Sequence, residues 1–145
     1  MAIVQLVRPF TLLAPVLGTA CAAGVAAVYL DRAWATPTLL FACISAIAAT
    51  AASNAWNQVF DAKIDRANKP HRPLVSGALT RGRAMAIGHV AAVVAVAAGA
   101  LATPAFLGCV LVGLVATWIY SAPPWRTKRL TYGALWTIAI PRGLL

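Results

Sequence analysis

Two of the three acidic residues in the chain stand four positions apart, in Asn57-Gln-Val-Phe-Asp61-Ala-Lys-Ile-Asp65. At 100° per residue, Asn54, Asn57, Asp61 and Asp65 fall within an arc of about 80° if a helix runs through them. Two amides and two carboxylates then share one stripe. Carboxylates one turn apart repel each other, which costs stability unless a cation joins them. Hard oxygen donors of this kind suit Mg²⁺, which uses one or two carboxylates and completes its shell with waters and substrate phosphates. Asp61 and Asp65 are therefore the candidate metal ligands. Catalytic carboxylates without a metal would need an acid/base partner, and none stands out in the sequence.

Cations follow at once. Arg66-Ala-Asn-Lys69-Pro70-His71-Arg72-Pro73-Leu74 carries two prolines that stiffen the loop and hold Lys69 and Arg72 near the carboxylates. A second basic stretch, Tyr120-Ser-Ala-Pro123-Pro124-Trp-Arg126-Thr-Lys128-Arg129, has the same stiff character. Carboxylates for a metal and fixed cations from two loops make a receptor for a diphosphate. Each cation taken alone reads as a topology determinant, and an isolated Asp at a helix end reads as a solvated one. The acidic pair beside two amides at the membrane boundary reads as functional, because polar groups at that depth are costly. His71 has no assigned role, and His89 reads as a helix–helix hydrogen bond.

The elements that must position these residues are transmembrane helices. Of the 145 residues, 61% are hydrophobic and 10% charged, less than half the usual share of charge. A soluble globule lacks the polar surface it would need, so the fold class is all-α, a polytopic helix bundle. Four stretches reach the roughly 20 residues needed to span a bilayer: about 10–30, with Pro15 as a possible kink, 37–60, 84–102 and 104–120. The first is too long for a signal-peptide core and reads as retained. Pro37 and Pro104 suit helix starts. Ala91, Ala95 and Gly99 form a small-residue stripe for close packing. A fifth apolar segment, 131–145, reaches only about 22 Å, so a truncated chain forming a single membrane domain over 1–145 is expected. Cys21, Cys43 and Cys109 have neither disulfide nor zinc spacing and read as buried small residues.

With four spans, Arg8, Lys63, Arg66, Lys69, Arg72, Arg81, Arg83, Arg126, Lys128 and Arg129 fall on one side. The other side holds Arg32, offset by Asp31. The positive-inside rule puts the amino terminus and both basic loops in the cytoplasm and the chain in the plasma membrane. It also accounts for the net charge of +9 without a nucleic-acid partner. Trp56, Trp118, Tyr120 and Trp125 would form an interfacial belt on that side.

These motifs together resemble the UbiA superfamily of intramembrane prenyltransferases. The resemblance rests on Asn57-x3-Asp61-x3-Asp65, then Asn68-Lys69-Pro70-x-Arg72-Pro73-Leu74 and Ser76-Gly77, then Tyr120-Ser-x-Pro123-Pro124-x-Arg126-x-Lys128. It covers the whole chain but only the amino-terminal half of the family's usual length, and the last motif is similar to the chlorophyll synthase and homogentisate prenyltransferase branches. It implies part of a fold of about nine helices around a central cavity. It also implies catalytic roles for Asn57, Asp61 and Asp65, with Lys69, Arg72, Arg126 and Lys128 contacting a diphosphate. Where the family has Asn-Asp, this chain has Asn57-Gln58, one carboxylate fewer.

The expected activity is Mg²⁺-dependent transfer of a prenyl group from a prenyl diphosphate to a lipophilic, aromatic or ring-bearing acceptor. Two rivals stand beside it. A CDP-alcohol phosphotransferase would need Asp-Gly and Ala-Arg ahead of the acidic pair, and these are absent. A transporter or channel would use the pair as a cation site.

Overall fold

The computed structural model describes residues 1–31 and 35–143; Arg32, Leu144 and Leu145 lie outside them. Among the described residues six α-helices run in sequence: α1 Ala2–Val7, α2 Leu13–Tyr29, α3 Thr36–Asn68, α4 Arg81–Ala102, α5 Pro104–Ser121 and α6 Thr131–Gly143. Short 3₁₀ turns at Pro9–Leu12 and Thr127–Arg129 lead into α2 and α6. Among the described residues, four segments are long and apolar enough to cross a membrane: Pro9–Tyr29, Thr36–Asn68, Arg81–Ala102 and Pro104–Ser121. The chain is an integral membrane protein of the all-α class. The bilayer core imposes this, since backbone groups there must be satisfied within each helix.

The helix boundaries follow the local chemistry. Thr80 caps α4 by accepting from the Arg83 amide at 3.3 Å, and Thr103 caps α5 by accepting from the Phe106 amide at 3.1 Å. Pro104 starts α5, and Pro37 lies in the first turn of α3. Pro15 was expected to kink the first span. It falls in the first turn of α2 instead, where its missing N–H breaks no hydrogen bond. Gly77 takes a φ of 78° in the loop after α3, a conformation that side chains with a Cβ adopt at a cost.

The long helix organises the rest. Its 33 residues reach about 50 Å, well beyond a hydrocarbon core of about 30 Å. The last turns of α3, with Asp61 and Asp65, continue its apolar stretch as one unbroken rod. The most extensive interface is between α3 and α4, and it is built from small residues. Ala48, Ala52 and Ala55 of α3 and Ala84, Ala95 and Ala98 of α4 are all buried. Ser45 Oγ donates to the Ala95 carbonyl at 2.6 Å, beside Gly99. The expected small-residue stripe is therefore the α3–α4 seam, where van der Waals contact replaces the hydrophobic driving force that lipid removes. Large apolar side chains such as Leu17, Val28, Val93 and Val115 face outward.

Three expectations are corrected here. Trp56 is 5% exposed and is not an interfacial residue. Its ring meets Trp118 edge-on at 5.1 Å, and Trp118 meets Phe60 at 5.4 Å, bracing α3 against α5. His89 packs its ring against Trp56 at 5.8 Å and Trp118 at 5.9 Å in place of the expected interhelical hydrogen bond. The cysteines are not fully buried: Cys21 is exposed, and Cys43 and Cys109 are half-buried. The short helix α1 was not anticipated, since six residues carry too little periodicity to read.

Candidate active site

The stripe forms as the helical spacing requires, because α3 continues unbroken to Asn68. The basic loops that follow α3 and α5 then close on it. Lys128 Nζ donates to Asp61 Oδ1 at 2.5 Å and to Asn57 Oδ1 at 3.0 Å. Arg126 reaches the same carboxylate at 3.4 Å, and its Nη2 also donates to the Phe60 carbonyl at 2.8 Å. One turn further along, Arg72 Nη1 donates to Asp65 Oδ2. Three cations face two carboxylates, so one positive charge is in excess and the repulsion between Asp61 and Asp65 is answered.

Backbone geometry aims each loop. After the cis Pro123–Pro124 bond, Arg126 adopts a left-handed φ of 40° and ψ of 53°. This conformation costs a residue with a Cβ about 1 kcal/mol or more. The Phe60 carbonyl and Asp61 compensate by fixing its guanidinium. The loop after α3 turns back through Lys69 and Arg72, where the Arg72 amide donates to the Lys69 carbonyl at 3.1 Å. Pro73 behind it is fully buried, so Arg72 hangs from an anchored turn. These side chains are largely withdrawn from water: Asp65 is 7% exposed, Arg72 12%, Lys128 13% and Asp61 17%. Removing one partner would leave the other charge poorly solvated, which is costly.

Asn57, Asp61, Asp65, Arg72, Arg126 and Lys128 thus come together. Lys69 does not join the ion pairs: it caps α3 as an exposed residue and faces a separate hollow with Arg8, His71 and Arg72. Asn54, on the same stripe, has a structural task. Its Nδ2 donates to the Val7 carbonyl and to Thr11 Oγ1, both at 2.8 Å. Gln58 Nε2 donates to the Leu6 carbonyl at 2.7 Å. The two amides hold the otherwise unsatisfied carbonyls at the end of α1. The position with one carboxylate fewer is thus an anchor for the amino-terminal helix.

Sequence reading missed Ser121. It is 1% exposed and donates from Oγ to Asn57 Oδ1 at 3.3 Å. Tyr120 was missed as well, with its ring centroid 5.8 Å from Lys128 Nζ. Both lie in the Tyr-Ser-x-Pro-Pro stretch, so the motif held the signal without the partner.

Below this charged end, between α2, α3 and α5, lies an apolar hollow of about 1310 Å³. Phe10, Ala14, Leu39, Phe106, Leu114 and Tyr120 are among its lining. Among the described residues no group of three or more His, Cys, Asp or Glu is gathered to hold a metal ion. The donor types suit Mg²⁺, since Asp61, Asp65 and the Asn57 amide oxygen are hard oxygens within two helical turns; in this structure Lys128, Arg126 and Arg72 supply the positive charge beside them.

A charged, oxygen-rich cluster and an apolar hollow, in a bundle of helices long and apolar enough to cross a membrane, mark an integral membrane protein with a candidate site near one end of its longest helix. The UbiA prenyltransferase family model matches residues 12–145, and the chain belongs to this family. It is 37% identical over 92 residues to digeranylgeranylglyceryl phosphate synthase of Methanoregula boonei, covering 61% of this chain and 33% of the relative. It is 27% identical over 128 residues to the bacteriochlorophyll synthase 33 kDa chain of Cereibacter sphaeroides, covering 88% and 42%. It is 35% identical over 95 residues to the probable homogentisate phytyltransferase 2 of Oryza sativa, covering 61% and 24%. The chain thus spans less than half the length of these relatives. No solved structure gives a significant match. These similarities favour neither the transporter nor the CDP-alcohol phosphotransferase reading.

Proposed function

We propose that this chain forms part of an intramembrane prenyltransferase that moves a prenyl group from a prenyl diphosphate to a lipophilic acceptor carrying an aromatic or other ring. The convergence of Lys128 and Arg126 on Asp61 and of Arg72 on Asp65, on the turns of α3 that follow Asn54 in the wall of an apolar hollow, carries this reading. Two relatives are named for homogentisate and bacteriochlorophyll, which supports a ring-bearing acceptor. The density of cations at this end supports a cytoplasmic orientation of the basic loops, and the reading places the protein in the plasma membrane.

In this reading the hydrocarbon tail lies in the hollow and the diphosphate meets the charged end. Arg72, Arg126 and Lys128 trade carboxylate oxygens for phosphate oxygens, so the negative charge developing on the departing diphosphate meets donors already in position. Asp61 and Asp65 would hold Mg²⁺, with Asn57 beside them. The ion, when bound, adds positive charge at the leaving group. Lys128 and Ser121 keep the Asn57 oxygen turned toward the stripe. Lys69, exposed at the helix end, contributes long-range attraction for the anionic donor. The apolar walls keep water from the allylic cation until the acceptor attacks.

The test is direct binding. The intact protein in lipid nanodiscs should bind geranylgeranyl thiodiphosphate with Mg²⁺ present, and much more weakly in Asp61→Asn or Asp65→Asn, while both variants still insert into membranes. Equal binding by the two variants and the wild type refutes the reading.

A further inference from the structure

Lys63, Arg66, Arg81 and Arg83 take no part in the candidate active site, and each is exposed. The chain has three acidic residues to answer its cations. Asp61 and Asp65 are engaged by Lys128, Arg126 and Arg72. Asp31 lies between α2 and the start of α3, at the opposite end of the long helix. The four cations are therefore left without a carboxylate.

The fold gathers them on one corner. α3 and α4 run antiparallel, since Gly88 packs beside Ala55 and Ala95 meets Ser45. Arg81, seven residues before Gly88, is thus level with Ala62 and Lys63 on α3. Lys63 and Arg66 continue the period of the buried seam residues Ala52, Ala55 and Val59. They do so where α4 begins, and so stand over its first turn. At 100° per residue, both lie about 100° or more around α3 from Asp61 and Asp65.

An apolar face runs on from this cluster. The 22 residues of α4 reach about 33 Å, close to the thickness of a hydrocarbon core. Arg81 and Arg83, at its start, then lie at the depth of lipid head groups. From Arg83 the same face of α4 continues through Ala86, Val90, Val93, Ala97 and Leu101, at helical spacings of three and four. Every one of them is exposed. The positive-inside rule accounts for the side on which cations stand, but not for four unanswered ones above a continuous apolar stripe. Their mutual repulsion falls when an anion with an apolar body settles against both.

We propose that this corner of α3 and α4 binds an anionic phospholipid of the bilayer. Its head group lies among Lys63, Arg66, Arg81 and Arg83, and an acyl chain runs along α4 from Ala86 to Leu101. The site goes beyond the prenyl diphosphate reading and is independent of it, because it uses none of the residues that hold the donor.

The experiment is native mass spectrometry of the intact protein in detergent, titrated with dioleoyl phosphatidylserine or dioleoyl phosphatidylcholine. The serine lipid should bind about tenfold more tightly or better, and the preference should shrink as salt is raised. Arg83→Gln should lower the preference about fivefold, and Arg81→Gln/Arg83→Gln should lower it further. Glutamine keeps the backbone amide that Thr80 caps, so the helix start is preserved. Arg129→Gln removes one exposed cation from the connection between α5 and α6, on the same side of the bundle, and should leave the preference unchanged. Equal binding of the two lipids overturns the proposal. So do equal losses from Arg83→Gln and Arg129→Gln, which would assign the effect to diffuse surface charge.

Discussion

Lys128 Nζ lies 2.5 Å from Asp61 Oδ1, joining two residues 67 positions apart in the chain. The contact closes the end of the α5–α6 connection onto the end of α3. Both side chains are more than four-fifths buried, so neither charge has full access to water when its partner is removed.

The two residues should therefore be energetically coupled. In a double-mutant cycle of Lys128→Met and Asp61→Asn, we expect the single variants to be destabilised and the double variant to recover part of the loss, with a coupling of about 1–3 kcal/mol. Thermal unfolding in detergent provides the measurement. Strict additivity would show that the pair is not formed in the membrane protein.

Gly88 is needed for the fit of Trp56. A Cβ at position 88 would stand 2.7 Å from Trp56 Cδ1 and Nε1. Gly88→Ala should lower stability by about 1–3 kcal/mol, even though alanine favours helices. Trp56→Phe in the same background should restore part of it. Unfolding midpoints and tryptophan fluorescence report both effects.

Gln58 and Asn54 clamp α1 to the long helix. Asn54→Ala should remove about 1–2 kcal/mol from this attachment, because the Val7 carbonyl and Thr11 lose their donor. The local signature is faster hydrogen exchange over residues 2–8, with exchange in α4 unchanged. Equal protection in the variant would mean that Gln58 and Leu6 packing hold α1 without Asn54.

Ser121→Ala should act on the reaction more than on the fold. The Asn57 oxygen loses one of its two donors and keeps Lys128. Turnover should fall about threefold to tenfold, with the donor KM nearly unchanged. Ser121→Thr, which keeps a hydroxyl, should retain more activity than Ser121→Ala.

Much of the site was legible from spacing. A helix through Asn57, Asp61 and Asp65 puts them on one stripe whatever surrounds it, and α3 supplies that helix. The stiff loops with Arg72, Arg126 and Lys128 were legible as cations that must be answered. The partners were not. No local rule says that Lys128 meets Asp61 while Arg72 meets Asp65, or that Lys69 turns away toward Arg8. The same limit hid Ser121, whose partner is 64 positions away.

Trp56 and Asn54 make the point from the opposite side. A place near the end of a span put the tryptophan at an interface, and helical spacing put the amide on one stripe with the carboxylates. Packing decided otherwise. A notch at Gly88 accepts the indole, and the open carbonyls of α1 claim the amide.

The residue order alone determined the membrane class, the four spans and the acidic stripe, because bilayer thickness and helical pitch are fixed lengths against which a chain can be measured. Only the tertiary structure decided which cation meets which carboxylate, which amides hold α1 and which end of the hollow carries charge. Those choices depend on how close two helices come and on how two distant turns are aimed. Both are set by small-residue seams and loop backbone angles, which become specific only when the whole bundle is assembled.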